Sequence, residues 1–350
     1  MISVETSPVS ASGILGYMNP TDLGPARAMT TSVDHTPRIL VLGSSGFIGS
    51  RVVASLAGSG EARVVALSRN PGALLQNHND TIAAADISVP GSLSPFLEGT
   101  DVVVHAASYV GSDPGLAHEI NQVGTSNVIE QCQQAGVDRL IYVSTCSVYG
   151  SGPHRGFPET EAEYHPASVA SSSRAIAEQM ILRFGGEVVR PNLVFGGGDR
   201  WFVPGLLNVM KVAGGWPGDG SALLSLISVE TLGRLVSDLA LAPRQAGQAF
   251  HAAYPEPVPA SVLLRSVAQA FKMDYPRFLG DDHRARLALR IAGFTDHQID
   301  MVTIDHWYSS ERLWRISGRE PESFWSALAE FSDSYPAIGP GSHKPDGRFV

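Results

Sequence analysis

Residues 38–49 read RILVLGSSGFIG, a short apolar run that leads into three glycines spaced Gly-x-x-Gly-x-x-Gly. The apolar run is typical of a buried strand, and residues 47–57 have the spacing of a helix. In such a strand–turn–helix unit, Gly43 permits the tight turn, Gly46 lets the backbone approach an anion, and Gly49 lets the helix pack closely on the sheet. The helix N-terminus adds unpaired N–H donors, so the segment predicts a site for the pyrophosphate of a dinucleotide.

The alternation of apolar runs and helical segments continues to residue 190. Strands are expected at residues 63–67, 81–85, 101–106, 139–144 and 187–190, and helices at residues 114–134 and 168–184. Continuous apolar strands that alternate with helices indicate a parallel sheet covered on both faces. With right-handed crossovers, this becomes an α/β Rossmann fold, a doubly wound parallel sheet.

After residue 196 the alternation weakens, and helical patterns remain only at residues 231–241 and 260–271. We therefore predict a dinucleotide-binding domain, a smaller and mostly helical substrate-binding lobe, and two flexible ends. The predicted boundaries are 1–36 for the N-terminal arm, 37–195 for the Rossmann domain with parts of 221–255 returning to it, 196–335 for the lobe and 336–350 for the tail.

Composition narrows the class of protein. Of 350 residues, 43% are hydrophobic and 17% charged, which excludes a disordered chain, and the net charge of −9 argues against binding nucleic acid or an anionic membrane. The chain has two cysteines and scattered histidines, so we expect no disulfide scaffold and no metal site. We find no apolar run of ~18 residues and no secretory signal, and we predict a cytoplasmic protein.

The end of the second strand indicates which dinucleotide is bound. An NAD enzyme usually has Asp or Glu there to accept a hydrogen bond from the ribose 2′-hydroxyl. This chain has Ser68 and Arg69 instead. A carboxylate would repel a 2′-phosphate, whereas a hydroxyl and a guanidinium bind one, so the sequence predicts NADPH/NADP+.

Further motifs follow in chain order: Asp86-Ile87, His105-Ala106-Ala107, Asn121-Gln-Val-Gly-Thr125, Tyr142-Val-Ser-Thr-Cys-Ser-Val-Tyr-Gly150 and Arg190-Pro191-Asn192. With the glycine turn, this ordered set resembles the extended short-chain dehydrogenase/reductase family over about residues 38–241. The glycine turn, the end of the second strand and this resemblance together indicate a set of candidate cofactor-binding residues. They are Gly43, Ser45, Gly46, Phe47, Ile48, Gly49, Ser68, Arg69, Asp86, Ile87, Ala106, Ala107, Pro191 and Asn192.

The resemblance also locates the catalytic positions, where this chain departs from the family. The family uses a hydroxyl, a tyrosine and a lysine, and the hydroxyl position falls on Thr145. The tyrosine and lysine belong to a Pro-x-Ser-x-Tyr-x-x-Ser-Lys segment, which here reads PASVASSSR over residues 166–174. The tyrosine is thus replaced by Ala170 and the lysine by Arg174. Tyr164 lies six residues too early to take over the role.

This departure favours reduction over oxidation. A placed general acid–base group contributes roughly 10²–10⁴ in rate, and Ala170 cannot provide it. Arg174 stays charged, so it is expected to hold the nicotinamide ribose without moving a proton, while Thr145 donates a hydrogen bond to a carbonyl. Oxidation of an alcohol needs a base. Reduction of a ketone needs only hydride and a proton, which water or a neighbouring substrate hydroxyl supplies.

The sequence therefore predicts an NADPH-dependent ketoreductase for a ketone on an aromatic polyketide. Ala170, Arg174 and residues 198–204 (GDRWFVP) are similar to the tyrosine-less ketoreductases of angucyclinone (simocyclinone) biosynthesis, which implies an angucyclinone-type substrate. The candidate substrate contacts are Tyr109, Tyr149, Trp201 and Phe202. A nucleotide-sugar epimerase, dehydratase or reductase and a catalytically inactive NADP-binding regulator remain open, as do a monomer and a homodimer.

Overall fold

The computed structural model describes residues 35–71, 80–161, 163–327 and 335. Nearly all of the predicted N-terminal arm and the whole of the predicted tail lie outside these residues. The strands are β1 (Arg38–Leu42), β2 (Arg63–Ser68), β3 (Thr81–Ala84), β4 (Val102–His105), β5 (Leu140–Val143), β6 (His154–Arg155), β7 (Glu187–Pro191), β8 (Leu193–Phe195), β9 (Leu223–Leu224), β10 (Leu226–Ser228), β11 (Ala249–Ala252), β12 (Val258–Pro259) and β13 (His306–Trp307).

The helices cover both faces of the sheet and build most of the C-terminal part. They are α1 (Phe47–Ser59), α2 (Ser94–Leu97), α3 (Pro114–Ala117), α4 (Gly124–Ala135), α5 (Val169–Phe184), α6 (Phe202–Ala213), α7 (Val229–Leu241), α8 (Ala260–Ala270), α9 (His283–Ile291), α10 (Asp296–Thr303) and α11 (Glu311–Ser317). A π-helical turn spans His118–Val123, and 3₁₀ turns span Cys146–Tyr149 and Glu159–Glu161.

Seven strands form one parallel sheet in the order β11-β7-β5-β4-β1-β2-β3. From β1 the chain builds outward to β3 on one side, and from β4 it builds outward to β11 on the other. The order therefore reverses between β1 and β4, which opens a crevice at the carboxyl ends of these two strands. The predicted doubly wound Rossmann fold is confirmed.

Alternate residues of the strands pack into two hydrophobic layers, one on each face of the sheet. On β1, Ile39 and Val41 face a layer that contains α1, α7 and much of the C-terminal part, while Leu40 and Leu42 face a layer with α4 and α5. All four side chains are almost fully buried, as expected for a parallel strand covered on both faces. The first layer is continuous from β1 to Phe324, so the C-terminal part shares its core with the sheet.

The long helix predicted over residues 114–134 is interrupted. The structure has α3, then the π-helical turn, then α4. Within the π-helical turn, the side-chain amide of Asn121 accepts a hydrogen bond from the backbone N–H of Tyr109 (2.7 Å) and donates to its carbonyl oxygen (2.8 Å). This side-chain pairing is a tertiary contact that helical periodicity does not reveal, and it accompanies the widened turn.

A buried ion pair fixes α5 on the sheet. Arg190 of β7 and Glu178 of α5 are both buried, and Nε of Arg190 donates to Oε1 of Glu178 (2.9 Å). The guanidinium also donates to the hydroxyls of Tyr149 (2.6 Å) and Tyr164 (3.0 Å). Because its partners satisfy the buried charge, the pair holds the middle of α5 against β7.

We expect Glu178→Ala to lower the free energy of unfolding by roughly 3–5 kcal/mol, since it leaves the Arg190 guanidinium buried without its carboxylate. Urea denaturation measures the loss, and Glu178→Gln, which keeps a hydrogen-bonding oxygen, should lose less. Asp296→Ala is the control, because its pair with Arg290 lies at the surface and should leave the midpoint almost unchanged. Equal losses for the buried and the exposed pair would contradict this account.

Candidate dinucleotide and catalytic site

The glycine turn brings the start of α1 against the end of β1. Gly43 has φ +79, and a Cβ there would lie 2.7 Å from the backbone nitrogen of Ala107 at the end of β4. A Cβ on Gly49 would overlap the carbonyl oxygen of Gly43. Both positions therefore require glycine, as the sequence predicts, and the result is a helix that starts directly at the crevice.

A cavity of about 230 Å³ opens at the carboxyl ends of β1, β2 and β4. Its lining is Leu42, Gly43, Ser45, Gly46, Leu67, Ser68, Arg69, Asn70, Ala85, Asp86, Ile87, Ala106, Ala107, Ser108 and Ile120. The structure thus brings together nine predicted cofactor-binding residues, and Phe47, Ile48 and Gly49 form the adjoining first turn of α1. Pro191 and Asn192 do not line this cavity.

The polar groups around this cavity fit a dinucleotide. The α1 N-cap is Gly46, so no side chain satisfies the first N–H groups, and the first turn carries no acidic residue that would repel an anion. The buried hydroxyl of Ser68 lines the cavity and has no hydrogen-bond partner among the described residues. Arg69 is exposed beside it. A hydroxyl and a guanidinium at this end of the cavity are suited to a phosphate oxygen.

Thr145 lies just beyond the end of β5, and its hydroxyl is oriented by the next turn. Its Oγ1 accepts a hydrogen bond from the backbone N–H of Ser147 (3.1 Å), which leaves the hydroxyl proton free to donate elsewhere. Ala170 is buried in the first turn of α5, where Ser168 and Ser171 form a capping box. The helix therefore begins with well-formed caps although its tyrosine is absent.

Arg174 lies one turn after Ala170 and points to the protein interior. It donates to the carbonyl oxygen of Val143 at the end of β5 (3.0 Å), close to His105 and Tyr142, whose ring centroids are 5.1 Å apart. Burial and the nearby guanidinium lower the pKa of His105 to about 3, so its ring is neutral. The sequence assigns Arg174 to the nicotinamide ribose, whereas the structure commits one arm of its guanidinium to the backbone of β5.

Two of the predicted substrate contacts, Tyr149 and Phe202, have side chains that are buried in the protein. Tyr149 is 4% exposed, and its hydroxyl bonds Arg190 and Nε2 of His251 (2.7 Å). Phe202 is 5% exposed and packs in the main core. Tyr149 ends the 3₁₀ turn and Phe202 begins α6, and the order of residues alone does not indicate that these side chains turn inward.

Tyr109, Tyr164 and Trp201 each have a defined contact or position in the structure. The Tyr109 hydroxyl accepts from the backbone N–H of Asp113 at the start of α3 (3.2 Å), and the Tyr164 hydroxyl donates to Glu178 in the buried ion pair. Trp201 is half-buried at the start of α6 and stays a predicted substrate contact. Asn192 donates through its amide to carbonyl oxygens of residues 225 and 306, so it joins the sheet to the C-terminal part.

No group of three or more His, Cys, Asp or Glu side chains among the described residues is arranged to hold a metal ion. Among the same residues, none of the helices combines the length and the apolar character that crossing a bilayer requires.

Comparisons with known proteins agree with this architecture. The model of the NAD dependent epimerase/dehydratase family matches residues 39–245. The 2-alkyl-3-oxoalkanoate reductase of Stenotrophomonas maltophilia is 29% identical over 81% of this chain and 95% of its own length. The human sterol-4-alpha-carboxylate 3-dehydrogenase, decarboxylating, is 27% identical over 81% of this chain and 84% of its own. Among solved structures, the epimerase Mth375 of Methanothermobacter thermautotrophicus superposes with a TM-score of 0.68 at 21% identity, over 85% of this chain and 91% of that one.

Gly49→Ala should weaken dinucleotide binding by at least about tenfold, because the added methyl pushes the first turn of α1 away from Gly43. Quenching or enhancement of NADPH fluorescence gives the dissociation constant. Gly58→Ala is a matched control in the same helix: a Cβ there meets nothing within 4 Å, so binding should be unchanged and stability slightly higher. Unimpaired binding by Gly49→Ala would refute this assignment of the turn.

Buried histidines should make the protein less stable in mild acid. Burial lowers the pKa of His154 and of His251 to about 4 each, and that of His105 to about 3. The unfolded chain takes up these protons near pH 6.5, so the free energy of unfolding should fall as the pH drops from 6.5 towards 4. Urea denaturation at a series of pH values measures how steeply the free energy of unfolding depends on pH. His251→Asn should make this dependence shallower, whereas His118→Asn, at an exposed position, should leave it unchanged. An unchanged slope in His251→Asn would contradict the prediction.

Proposed function

Since the chain belongs to the NAD dependent epimerase/dehydratase family, we propose that it is an NADPH-dependent ketoreductase that reduces a ketone on an aromatic, angucyclinone-type polyketide. The observation that carries the proposal is the pairing of a well-formed dinucleotide cavity with Ala170 at the family's tyrosine position. A site that keeps its hydride donor and lacks its proton-transfer residue is suited to reduction, for which water provides the proton.

The cofactor in this proposal is held by the groups around the 230 Å³ cavity. The first N–H groups of α1 bind the pyrophosphate, and Ser68 with Arg69 binds the 2′-phosphate that distinguishes NADPH from NADH. When bound, NADPH supplies the hydride. The absence of an acidic residue after β2 supports this choice, because a carboxylate there would repel the phosphate.

Thr145 is the group proposed to bind the substrate carbonyl. Its oxygen already accepts a hydrogen bond from Ser147, so its proton is directed to another acceptor. A hydrogen bond from this proton stabilises the negative charge that develops on the carbonyl oxygen during reduction. A substrate hydroxyl next to the carbonyl adds a second hydrogen bond within the substrate, and that hydroxyl or water then delivers the proton.

Arg174 supports the same reaction from behind the end of β5. Its bond to Val143 and its place beside the neutral His105 put a permanent positive charge two residues before Thr145. Among the described residues, no carboxylate lies within ion-pair distance of this guanidinium. A cation that no carboxylate of the described residues pairs with favours negative charge on a nearby oxygen, and the guanidinium cannot act as a base.

The relatives support reduction as one of several chemistries of the family. The bacterial relative is named a reductase of a 3-oxo compound, and the human relative a 3-dehydrogenase. Another relative, from Vibrio cholerae, is named UDP-glucose 4-epimerase, so a nucleotide-sugar epimerase, dehydratase or reductase is the second candidate. Its oxidising forms require a base to remove the alcohol proton, and neither Ala170 nor Arg174 provides one.

Reduction should be seen as loss of 340 nm absorbance when NADPH is mixed with hydroxylated aromatic ketones. Thr145→Val should lower kcat by about 10- to 100-fold, since it removes the hydrogen bond to a developing charge, whereas Thr145→Ser should keep most of the activity. The double variant Ala170→Tyr with Arg174→Lys should gain nothing. No turnover across a broad ketone panel, with tight NADPH binding, would support the inactive regulator instead.

A further inference from the structure

Two segments from distant parts of the chain meet at the first turns of α1. Strands β8 and β10 pair in parallel with Phe195 opposite Ser228, so the chain leaves both strands at the same edge. The segment after β8, residues 196–199, and the start of α7 therefore lie side by side, and a Cβ on Gly196 would come within 2.9 Å of the Val229 side chain. We call residues 196–199 the strap.

Arg51 of α1 binds both segments with one guanidinium. Its Nε donates to Oε1 of Glu230 in the first turn of α7 (3.1 Å), and one terminal nitrogen donates to the carbonyl oxygen of Gly197 in the strap (3.0 Å). Close helix contact makes this reach possible, because a Cβ on Gly233 of α7 would lie 2.7 Å from Cβ of Arg51. One guanidinium thus links α1 to both α7 and the strap.

The strap continues past the start of the dinucleotide-binding helix. A Cβ on Gly198 would lie 3.6 Å from the ring of Phe47, the first residue of α1. The strap ends at Asp199, whose carboxylate accepts the backbone N–H groups of residues 201, 202 and 203 (2.8, 2.8 and 2.9 Å) and so begins α6. One end of the strap is therefore anchored by α6, and its middle is held by Arg51.

We propose that Arg51, with Glu230, is a positioning residue that clamps the strap against the first turn of α1 and thereby slows release of the bound dinucleotide. The inference rests on the proposed cofactor, because the first turn of α1 is where its pyrophosphate binds. Arg51 does not line the cavity, so it acts through the strap. Its side chain is 35% exposed and that of Glu230 is 30% exposed, and a pair so exposed contributes little to global stability.

Stopped-flow displacement of NADPH by excess NADP+ measures the release rate directly. In Arg51→Met, which keeps the apolar stem and removes both hydrogen bonds, the release rate should rise about 3- to 20-fold while the melting temperature stays within about 2 °C. Arg51→Lys keeps a positive charge beside Glu230 but cannot donate to Glu230 and Gly197 at the same time, so its release rate should lie between those of the wild type and Arg51→Met. Hydrogen exchange of the ligand-free protein should also be faster in residues 196–201 of Arg51→Met.

Arg234→Met is the matched control. Its pair with Glu322 (2.8 Å) is 32% and 32% exposed and also starts from α7, without contact to the strap. An Arg51→Met release rate equal to that of Arg234→Met would overturn the inference and leave the proposed function standing. A wild-type protein that binds neither NADPH nor NADH would overturn the proposed function, whereas binding of NADH alone would overturn only the choice of cofactor.

Discussion

The close approach of α1 to the ends of β1 and β4 is the contact on which the rest of the site depends. It exists because two positions carry no side chain: Gly43 lies against the backbone of Ala107, and Gly49 lies against Gly43 itself. The approach brings the unpaired N–H groups of the helix to the point where the strand order reverses. The cavity beside the glycine turn and the contact of the strap with Phe47 both lie at this approach.

A second constraint acts on the other side of the crevice. The buried pair of Arg190 and Glu178 holds α5 against β7, and the bond from Arg174 to Val143 holds it against β5. The helix therefore keeps its place although the position normally occupied by a tyrosine is an alanine. The contacts that hold α5 on the sheet are thus kept, although the residue in its first turn is Ala170. The proposed reduction rests on this difference: the contacts that position α5 are present, and the tyrosine that would transfer a proton is absent.

Much of this could be predicted from the sequence, because the deciding signals are local. The glycine turn, the apolar strands and the residues that directly follow each strand are read over short stretches, and parallel strands bring those residues to one edge. Ser68, Asp86 and Ala106 accordingly line one cavity. The register of the family motif likewise places Ala170 in the first turn of α5.

The rest depends on tertiary contacts that no local pattern encodes. Arg51 and Glu230 are 179 positions apart and become neighbours only because α1 and α7 pack together. The aromatic rings of residues 154, 157, 251 and 308 enclose Tyr149, so a residue expected at the substrate is part of the core. The sequence likewise places Arg174 on α5 but does not show where its side chain points. In the structure its guanidinium donates to the carbonyl oxygen of Val143.

Our central proposal is that NADPH bound in this cavity would donate hydride to a ketone without a phenolic proton source. Isotope transfer tests it most directly. NADPH carrying deuterium at either face of C4 is incubated with the enzyme and hydroxylated aromatic ketones, and the products are analysed by mass spectrometry. The account predicts one deuterium on the new carbinol carbon, from one face only, in the wild type and in Tyr109→Phe. Saturable NADPH binding without any deuterium in the products, or a complete loss of transfer in Tyr109→Phe, would contradict it.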